Sequence, residues 1–513
     1  MSNFSKVIRF IRSLLLYFFI LTFAIGTVLF FIIQTSSFQT YLGVKATYWL
    51  SKELKTQIKV ERISIDFFHT LSLNGVFIKD LKNDTLLYVE KLKCDIETFN
   101  LKQRKIHLKQ IELVNGTAKA ITYKKDTVPN YQFIINYFSS PADTSKSEPF
   151  DFDYGNINLS NLNLVYKDEN DTTKTKGVNY ANINVKQFYG GINGLLINED
   201  TISVELDNIR LKESCGLVIN KFSSLVKISP IGITVDSMYL KTEHSLLNGH
   251  YYMKTKSWDD YSDFLNKVKL DLLLKDSSTV AVQDIGYFAE QLLGNSDKVE
   301  FTGAINGKIN SLYGRSVKLK FAEQTKYIGN FYLQDITDIS NSFFHLNIDA
   351  LTTNSKDLAQ IHVPPFDKNN KLQLPDIINK LGNISYNGLI IGKLNDIIAK
   401  GKLKSNIGNI ETDASIKYLT ETKILPEYKG KIKTQNFNLG LILGNKDIGL
   451  VSMDMELEGK AFNLEQLEAK LIGNVQQLNY NNYNYKNITL TGDFSKKKFN
   501  GKFECRDEYA DLD

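Results

Sequence analysis

The residues able to do chemistry are few and scattered. The six histidines are His69, His107, His244, His250, His345 and His362. None forms the H-E-x-x-H arrangement that sets two imidazoles on one helix face; His244 and His250 come closest, on expected strands. Asp259, Asp260 and Asp263 lack the glycine and terminal glutamate of a calcium loop and read as a solvated acidic turn. Cys94, Cys215 and Cys505 are too far apart and too few for a disulfide framework or a zinc cluster. Cys94 sits in an apolar slot and reads as a small buried hydrophobe. No nucleophile elbow, phosphate loop or dinucleotide fingerprint is present. The "GGING" stretch, Gly190 to Gly194, is expected to make a turn. Tyr480, Tyr483 and Tyr485 are expected to pack across strands rather than form a binding platform. The expectation is a protein that is not an enzyme and has no metal and no cofactor.

With no site to position, the elements themselves carry the information. The chain has 513 residues, 42% hydrophobic and 12% aromatic, enough for several cores or one large sheet. Its 62 basic and 57 acidic residues nearly balance, to a formal +5, and no arginine-rich stripe marks a nucleic-acid partner.

Leu14 to Ile33 is an uncharged apolar run, long enough to span a bilayer as a helix. Lys6, Arg9 and Arg12 precede it and the next charge is Lys45, so the basic end is expected in the cytoplasm and the body outside it. A cleaved signal peptide competes with this, but "FFIIQTSSF" has no small-residue cleavage site, and the reading is an uncleaved anchor through Leu14, Phe18, Leu21, Phe30 and Ile33. Between Ser37 and Leu54, Phe38, Tyr41, Leu42, Ala46, Trp49, Leu50 and Leu54 recur at helical spacing. That helix would either lie on the membrane surface or cap the end of a sheet.

Beyond residue 57 apolar residues come in pairs. Leu71 and Leu73 are followed by Val76 and Ile78; Ile106 and Leu108 by Ile111 and Leu113; Ile157 and Leu159 by Leu162 and Leu164; Val204 and Leu206 by Ile209 and Leu211; Ile233 and Val235 by Met238 and Leu240. In "DTLLYVEKLKCDI", Val89 is followed by Leu92, Cys94 and Ile96. Strict alternation would send the second pair to the opposite face. Either a two-residue hairpin or a one-residue bulge keeps both pairs on one face. Asn74-Gly75 suits a hairpin, but Glu90-Lys91 and Lys109-Gln110 do not, and the reading favours long bulged strands. A sheet with one apolar face must cover it, as a sandwich, a barrel or a trough.

The polar stretch 139–149 reads as a linker. Short helices are expected at Tyr131–Phe138, at Asp284–Leu293 with Asp284 as cap and Gly294 as stop, and at Pro375–Leu381 ended by Gly382. Beyond that, Gly388, Gly392 and Gly401 punctuate further strands. The chain stops directly after a strand-like stretch, Phe499 to Glu504, as a piece of a longer protein would. The expected organisation is a cytoplasmic end 1–13, an anchor 14–34, an amphipathic helix 37–55, a β segment 57–138, the linker 139–149 and a continuing β segment 150–513.

The anchor, "ISIDFFHTLSLNGVFIKDLKNDTLLYVEKLKCDI" and "IHLKQIELVNGTAKAIT" together resemble the start of AsmA-like proteins, and more closely the TamB-type translocation and assembly proteins of Bacteroidetes-like bacteria. "MYLKTEHSLLNGHYYMK", "DIGYFAEQLLG", "LPDIINKLGNISYNG", "EYKGKIKTQNFNLGLILGNKDIG" and "LNYNNYNYKNITLTGDF" follow in a similar order. The resemblance implies a mostly β fold: an inner-membrane helix, then an elongated, curled antiparallel sheet (a β-taco or trough) with a few short helices, crossing the periplasm. It implies passage of phospholipid toward the outer membrane along an apolar groove. The groove would be lined by Leu71, Leu73, Val76, Ile78, Leu92, Cys94, Ile96, Ile106, Leu108, Ile111 and Leu113. Such proteins also work with an outer-membrane barrel protein in assembling outer-membrane proteins. The C-terminal domain that meets that partner has no counterpart in these residues, and members of the family are longer. An assembly factor offering strand edges is thus a second expectation, and a membrane-anchored scaffold or adhesin a third.

Overall fold

A computed structural model describes residues 20–22, 24–25, 27–28, 31–32, 34–66, 69–100, 105–139, 151–198, 200–338, 341–363, 370–419 and 423–513. The fold is mostly β with a few short helices. Among the described residues no helix is long and apolar enough to cross a membrane. Leu14, Phe18, Phe30 and Ile33 of the expected anchor lie outside the described residues, as does nearly all of the expected linker. Leu21 is helical and exposed.

The chain divides into two compact units, one of residues 1–198 and 202–223 and one of residues 199–201 and 224–513. The first opens with helix α1 (Ser36–Glu53), followed by β1 (Ile58–Lys59), β2 (Arg62–Asp66), β3 (Thr70–Lys79), β4 (Thr85–Asn100) and β5 (Lys105–Thr122). Helix α2 (Gln132–Ser139), β6 (Asp151–Asp168), β7 (Asn182–Asn198) and β8 (Thr201–Glu213) complete it. The boundary falls within β9 (Val218–Ser229).

The sheet of the first unit departs from the antiparallel expectation where β5 and β6 run parallel, from Lys105 beside Asp151 to Thr122 beside Asp168. Parallel neighbours need a long crossover, and residues 123–150 supply it.

The second unit continues with β10 (Gly232–Thr242), β11 (Leu246–Lys254), α3 (Phe264–Lys267), β12 (Lys269–Leu274), β13 (Thr279–Ala281), α4 (Val282–Gly286), β14 (Lys298–Lys308), β15 (Ser311–Phe321), β16 (Thr325–Gln334) and β17 (Phe343–Asn354). Then come α5 (Ser355–Leu358), α6 (Asp376–Leu381), β18 (Asn383–Lys393), β19 (Asp396–Ser405), β20 (Gly408–Lys417) and β21 (Glu427–Asn438). Helix α7 (Leu439–Leu443) precedes β22 (Ile448–Lys460), β23 (Glu468–Tyr480), β24 (Tyr483–Ser495), β25 (Lys498–Arg506) and β26 (Asp511–Leu512).

The paired pattern resolves as bulges, not hairpins. β3 runs unbroken through Asn74-Gly75, and β4 through Glu90-Lys91. In unit after unit the second residue of the slip takes a left-handed backbone: Gly75 (φ 62°), Asn161 (56°), Gln187 (52°), Asn208 (51°), Ser237 (51°), Ser316 (49°), Asn436 (48°) and Asn487 (50°). The residue after the slip is buried: Val76, Leu162, Ile209, Met238, Val317, Phe437 and Ile488. In β8, β10, β15, β21 and β24 both slip residues face solvent, so the apolar pairs on either side point the same way. Asparagine tolerates this backbone better than other non-glycine residues. The buried cluster of Val60, Val76 and Val89 accordingly takes in Leu73, Leu87 and Leu92, from both sides of the slips in β3 and β4.

Three local expectations are corrected. "GGING" lies inside β7; Gly190 leaves room there for Ile209 of β8, whose Cδ1 would stand 2.6 Å from a Cβ at that position. Gly388, Gly392 and Gly401 lie inside β18 and β19 and do not end them. Asp284 does not cap its helix: it sits in the first turn of α4, buried, and accepts hydrogen bonds from Thr242 Oγ1 (2.6 Å) and Ser245 Oγ (2.5 Å). The helix ending at Leu381 is stopped by Gly382 at φ 70°.

Candidate functional site: continuous apolar rows

Cross-strand neighbours share a face, so the register shows what each face presents. In the first unit four apolar rows lie side by side. Ile65, Leu71, Cys94, Ile111, Ile157 and Ile192 form one, from β2 to β7. Ile63, Leu73, Leu92, Leu113, Leu159 and Gly190 form the next. Across the bulges follow Val76, Val89, Gly116, Leu162 and Phe188, then Ile58, Ile78, Leu87, Ala118, Leu164 and Val185.

The residues singled out from sequence therefore fall into adjacent rows. Leu71, Cys94 and Ile111 share one row, and Leu73, Leu92 and Leu113 the next. Val76 and Ile78 each join a further row. Ile96 and Leu108 stand opposite each other beyond a second bulge. Ile106 faces Phe99 in backbone register, and its side chain lies outside the described residues. Val76 and Cys94 are buried; the others with described side chains are half-buried.

The second unit carries two longer rows, which the sequence reading missed. One runs Val235, Tyr251, Leu272, Ile305, Gly314, Phe331, Leu346, Ile390, Ala399, Ala414, Gly430, Leu457, Leu471, Gly492 and Gly501, from β10 to β25 with β13 bypassed. Two residues further along each strand, a second runs from Ile233, Met253 and Leu270 through Phe344, Gly392, Ile397, Ile416 and Tyr428 to Phe494 and Phe499. No charged residue interrupts either row. In the first row every side chain larger than glycine's hydrogen is half-buried, none fully buried. A closed sandwich core would bury its central rows.

The two ends of these strands differ. At the far side of the bulges α6 and α7 pack Ile378, Leu381, Leu439 and Ile442 onto Ile384, Leu403, Ile407, Ile410 and Phe437, so short helices close that end of β18 to β21. The other end carries turns such as Lys393–Asp396 and Ser495–Lys498.

The opposite face is charged. Lys400 and Asp413 meet at 2.8 Å, Lys429 and Glu458 at 2.8 Å, Lys433 and Asp454 at 3.7 Å, and Lys460 and Glu427 at 2.9 Å. All are exposed, so each pair adds little stability; together they keep that face wetted. Open hollows of about 630 and 480 Å³ lie around Lys429, Glu458 and Lys470 and around Lys402, Glu411 and Lys433; the first also reaches Tyr428, Ala469 and Phe494 of the second apolar row. Neither brings together a convergent catalytic set.

Helix α1 closes the outer edge of β1 and β2 with side chains. Gln39 accepts from Ile65 N–H (2.7 Å) and donates to Ile65 C=O (3.4 Å). Thr40 Oγ1 accepts from Ile63 N–H and donates to its C=O, both at 3.1 Å. Ser51 Oγ does the same for Ile58, at 2.9 and 3.2 Å. Gly43 lies where any Cβ would collide with the Ile63 side chain. Edge strands need such cover, and these residues start the apolar rows.

Among the described residues no three His, Cys, Asp or Glu side chains converge to hold a metal ion. Burial, and secondarily Asp95, pushes the Cys94 thiol above its ordinary range. Burial, then a hydrogen bond with Glu213, raises Cys215 to about 11. Asp259 and Asp260 lie in a 3₁₀ turn where Asp260 accepts from Lys256 N–H at 2.7 Å. Tyr483 donates to Asp507 and packs edge-on against Tyr485.

Comparison of the chain with family models, curated proteins and solved structures returns no match.

Proposed function

We propose that the chain is a membrane-anchored, periplasmic β-trough whose apolar rows carry phospholipid from the inner membrane toward the outer membrane. The observation that carries this reading is the row from Val235 to Gly501, apolar or glycine at each strand it crosses and with every side chain beyond glycine half-buried. Each methylene moved from water onto such a surface gains about 0.8 kcal/mol. A row without polar interruption lets an acyl chain shift from strand to strand at nearly constant free energy. The charged face opposite it would stay in water. The anchor reading is supported by Ile20, Leu21, Ile25, Val28 and Phe31, all helical with exposed apolar side chains.

The competing reading is an assembly factor that lends a strand edge to unfolded outer-membrane proteins, working with an outer-membrane barrel protein. It is disfavoured at β1 and β2, where Gln39, Thr40 and Ser51 already occupy the edge. The test is a photocrosslinking residue at Ile390 or Ile111, used in cells, with the adducts analysed by mass. Phospholipid adducts are expected there and not from Ile398, on the charged face. Protein adducts alone from Ile390 and Ile111 would overturn lipid carriage.

A further inference from the structure

We propose that the outer face of α1 lies on an anionic bilayer surface and seats the first strands against it. The inference rests on the membrane-anchored reading above and adds the element that sets the orientation.

The inner face of α1 is committed to β1 and β2 through Gln39, Thr40, Gly43 and Ser51. The other side exposes Tyr41 (56%), Leu42 (50%), Tyr48 (75%) and Trp49 (57%). Lys45 and Lys52 stand among them, Lys45 over the Tyr41 ring at 5.5 Å; the one acidic residue of the helix, Glu53, follows Lys52 at its C-terminal end. Tyrosine and tryptophan rings suit headgroup depth, and lysine stems reach from there to anionic phosphate. A soluble partner could also cover such a face, but position favours lipid. The apolar run ends at Ile33, and Thr35 breaks the helix with an extended backbone (ψ 133°) before α1 restarts. Thr35 Oγ1 donates to Ile32 C=O at 2.7 Å and accepts from Phe38 N–H at 3.4 Å, fixing that corner. A corner there allows the run to enter the bilayer while α1 follows its surface.

Trp49 and Trp258 are the two tryptophans, so a Trp258→Phe chain reports on α1 alone. The full chain carrying this change is reconstituted in phosphatidylcholine vesicles with and without a quarter phosphatidylglycerol. Lipids brominated at shallow or deep acyl positions serve as quenchers. The expected result is a blue-shifted Trp49 quenched more by shallow than by deep bromines, and more with phosphatidylglycerol present. Lys45→Glu with Lys52→Glu should weaken the phosphatidylglycerol-dependent quenching by about tenfold. Chains that float with vesicles while Trp49 stays unquenched overturn the surface helix and leave the anchor standing. Chains that do not float overturn both. Quenching unaffected by the double charge reversal overturns the anionic preference.

Discussion

The ring of Phe331 on β16 occupies the space beside Gly314, its cross-strand neighbour on β15; a Cβ built on Gly314 would collide with the ring's Cε1 and Cζ. One large side chain thus fills two positions of the long apolar row, and the glycine is part of the packing. Gly314→Val is expected to destabilise by about 1–3 kcal/mol through overpacking. The same change with Phe331→Ala should cost less than the sum of the two single changes. Chemical denaturation of the four chains measures this coupling, and strict additivity would refute it.

The left-handed residues make a second expectation. Asn436 holds φ 48° and Asn487 φ 50°, each followed by a buried apolar residue. A β-branched residue is strained in that backbone, so Asn436→Val should cost about 1–3 kcal/mol. Asn436→Gly should be near neutral. Equal urea midpoints for the two variants would show that the bulge does not depend on the left-handed residue.

Neighbouring residues on β19 separate stability from lipid contact. Ala399 lies in the apolar row and is half-buried, while Ile398 is 48% exposed on the charged face. Ala399→Lys should abolish lipid adducts from a crosslinker at Ile390, whereas Ile398→Lys should leave them intact. Both chains should fold, as read by circular dichroism. Equal adduct yields from the two would mean the row does not contact lipid.

Acid should loosen the protein through buried carboxylates. Burial alone would raise the Asp357 carboxyl, but the N–H groups of Gln324 and Thr325, both at 2.8 Å, and the Thr325 hydroxyl at 3.0 Å outweigh it and hold the group below its ordinary value. Asp80 is lowered likewise against its burial, by Tyr123, Asn130 and the N–H groups of Asp84 and Lys82. A depressed folded value gives stability that is present above the unfolded value, about 3.9, and lost as pH falls through the folded one. Melting temperature should therefore fall below about pH 4. In Asp357→Asn that acid-dependent loss should be smaller. A variant whose melting curve tracks the parent's from neutral to acid would remove Asp357 from the account.

The first unit's rows were legible in sequence because leucine, isoleucine and valine mark nearly every inward position of β3 to β6. The second unit's were not, because glycine and alanine hold many of theirs: Gly392, Ala399, Ala414, Gly430 and Gly492 leave gaps in an apolar pattern. The charges between them, as in Lys400-Gly401-Lys402 and Lys429-Gly430-Lys431, carry the period-two signal instead. The parallel pairing of β5 and β6 is not written in either strand, since it depends on how the crossover returns. A helix capping a sheet is one of the two expectations for residues 37–54, but the cover by Gln39, Thr40 and Ser51 was hidden. It depends on matching helix turns to strand residues, which no local pattern records.

The bulges also govern which genetic changes the protein tolerates. In β8 the apolar Val204, Leu206, Ile209 and Leu211 keep one face because the bulge at Asn208 absorbs one extra residue. Loss of the Asn208 codon would leave plain alternation and the same face, and would remove the bend. Loss of the Glu205 codon would instead put Val204 and Leu206 on opposite faces. Single-codon insertions and deletions should therefore survive at the bulges and at hairpin turns such as Lys393–Asp396, and be purged in the regular stretches of the strands.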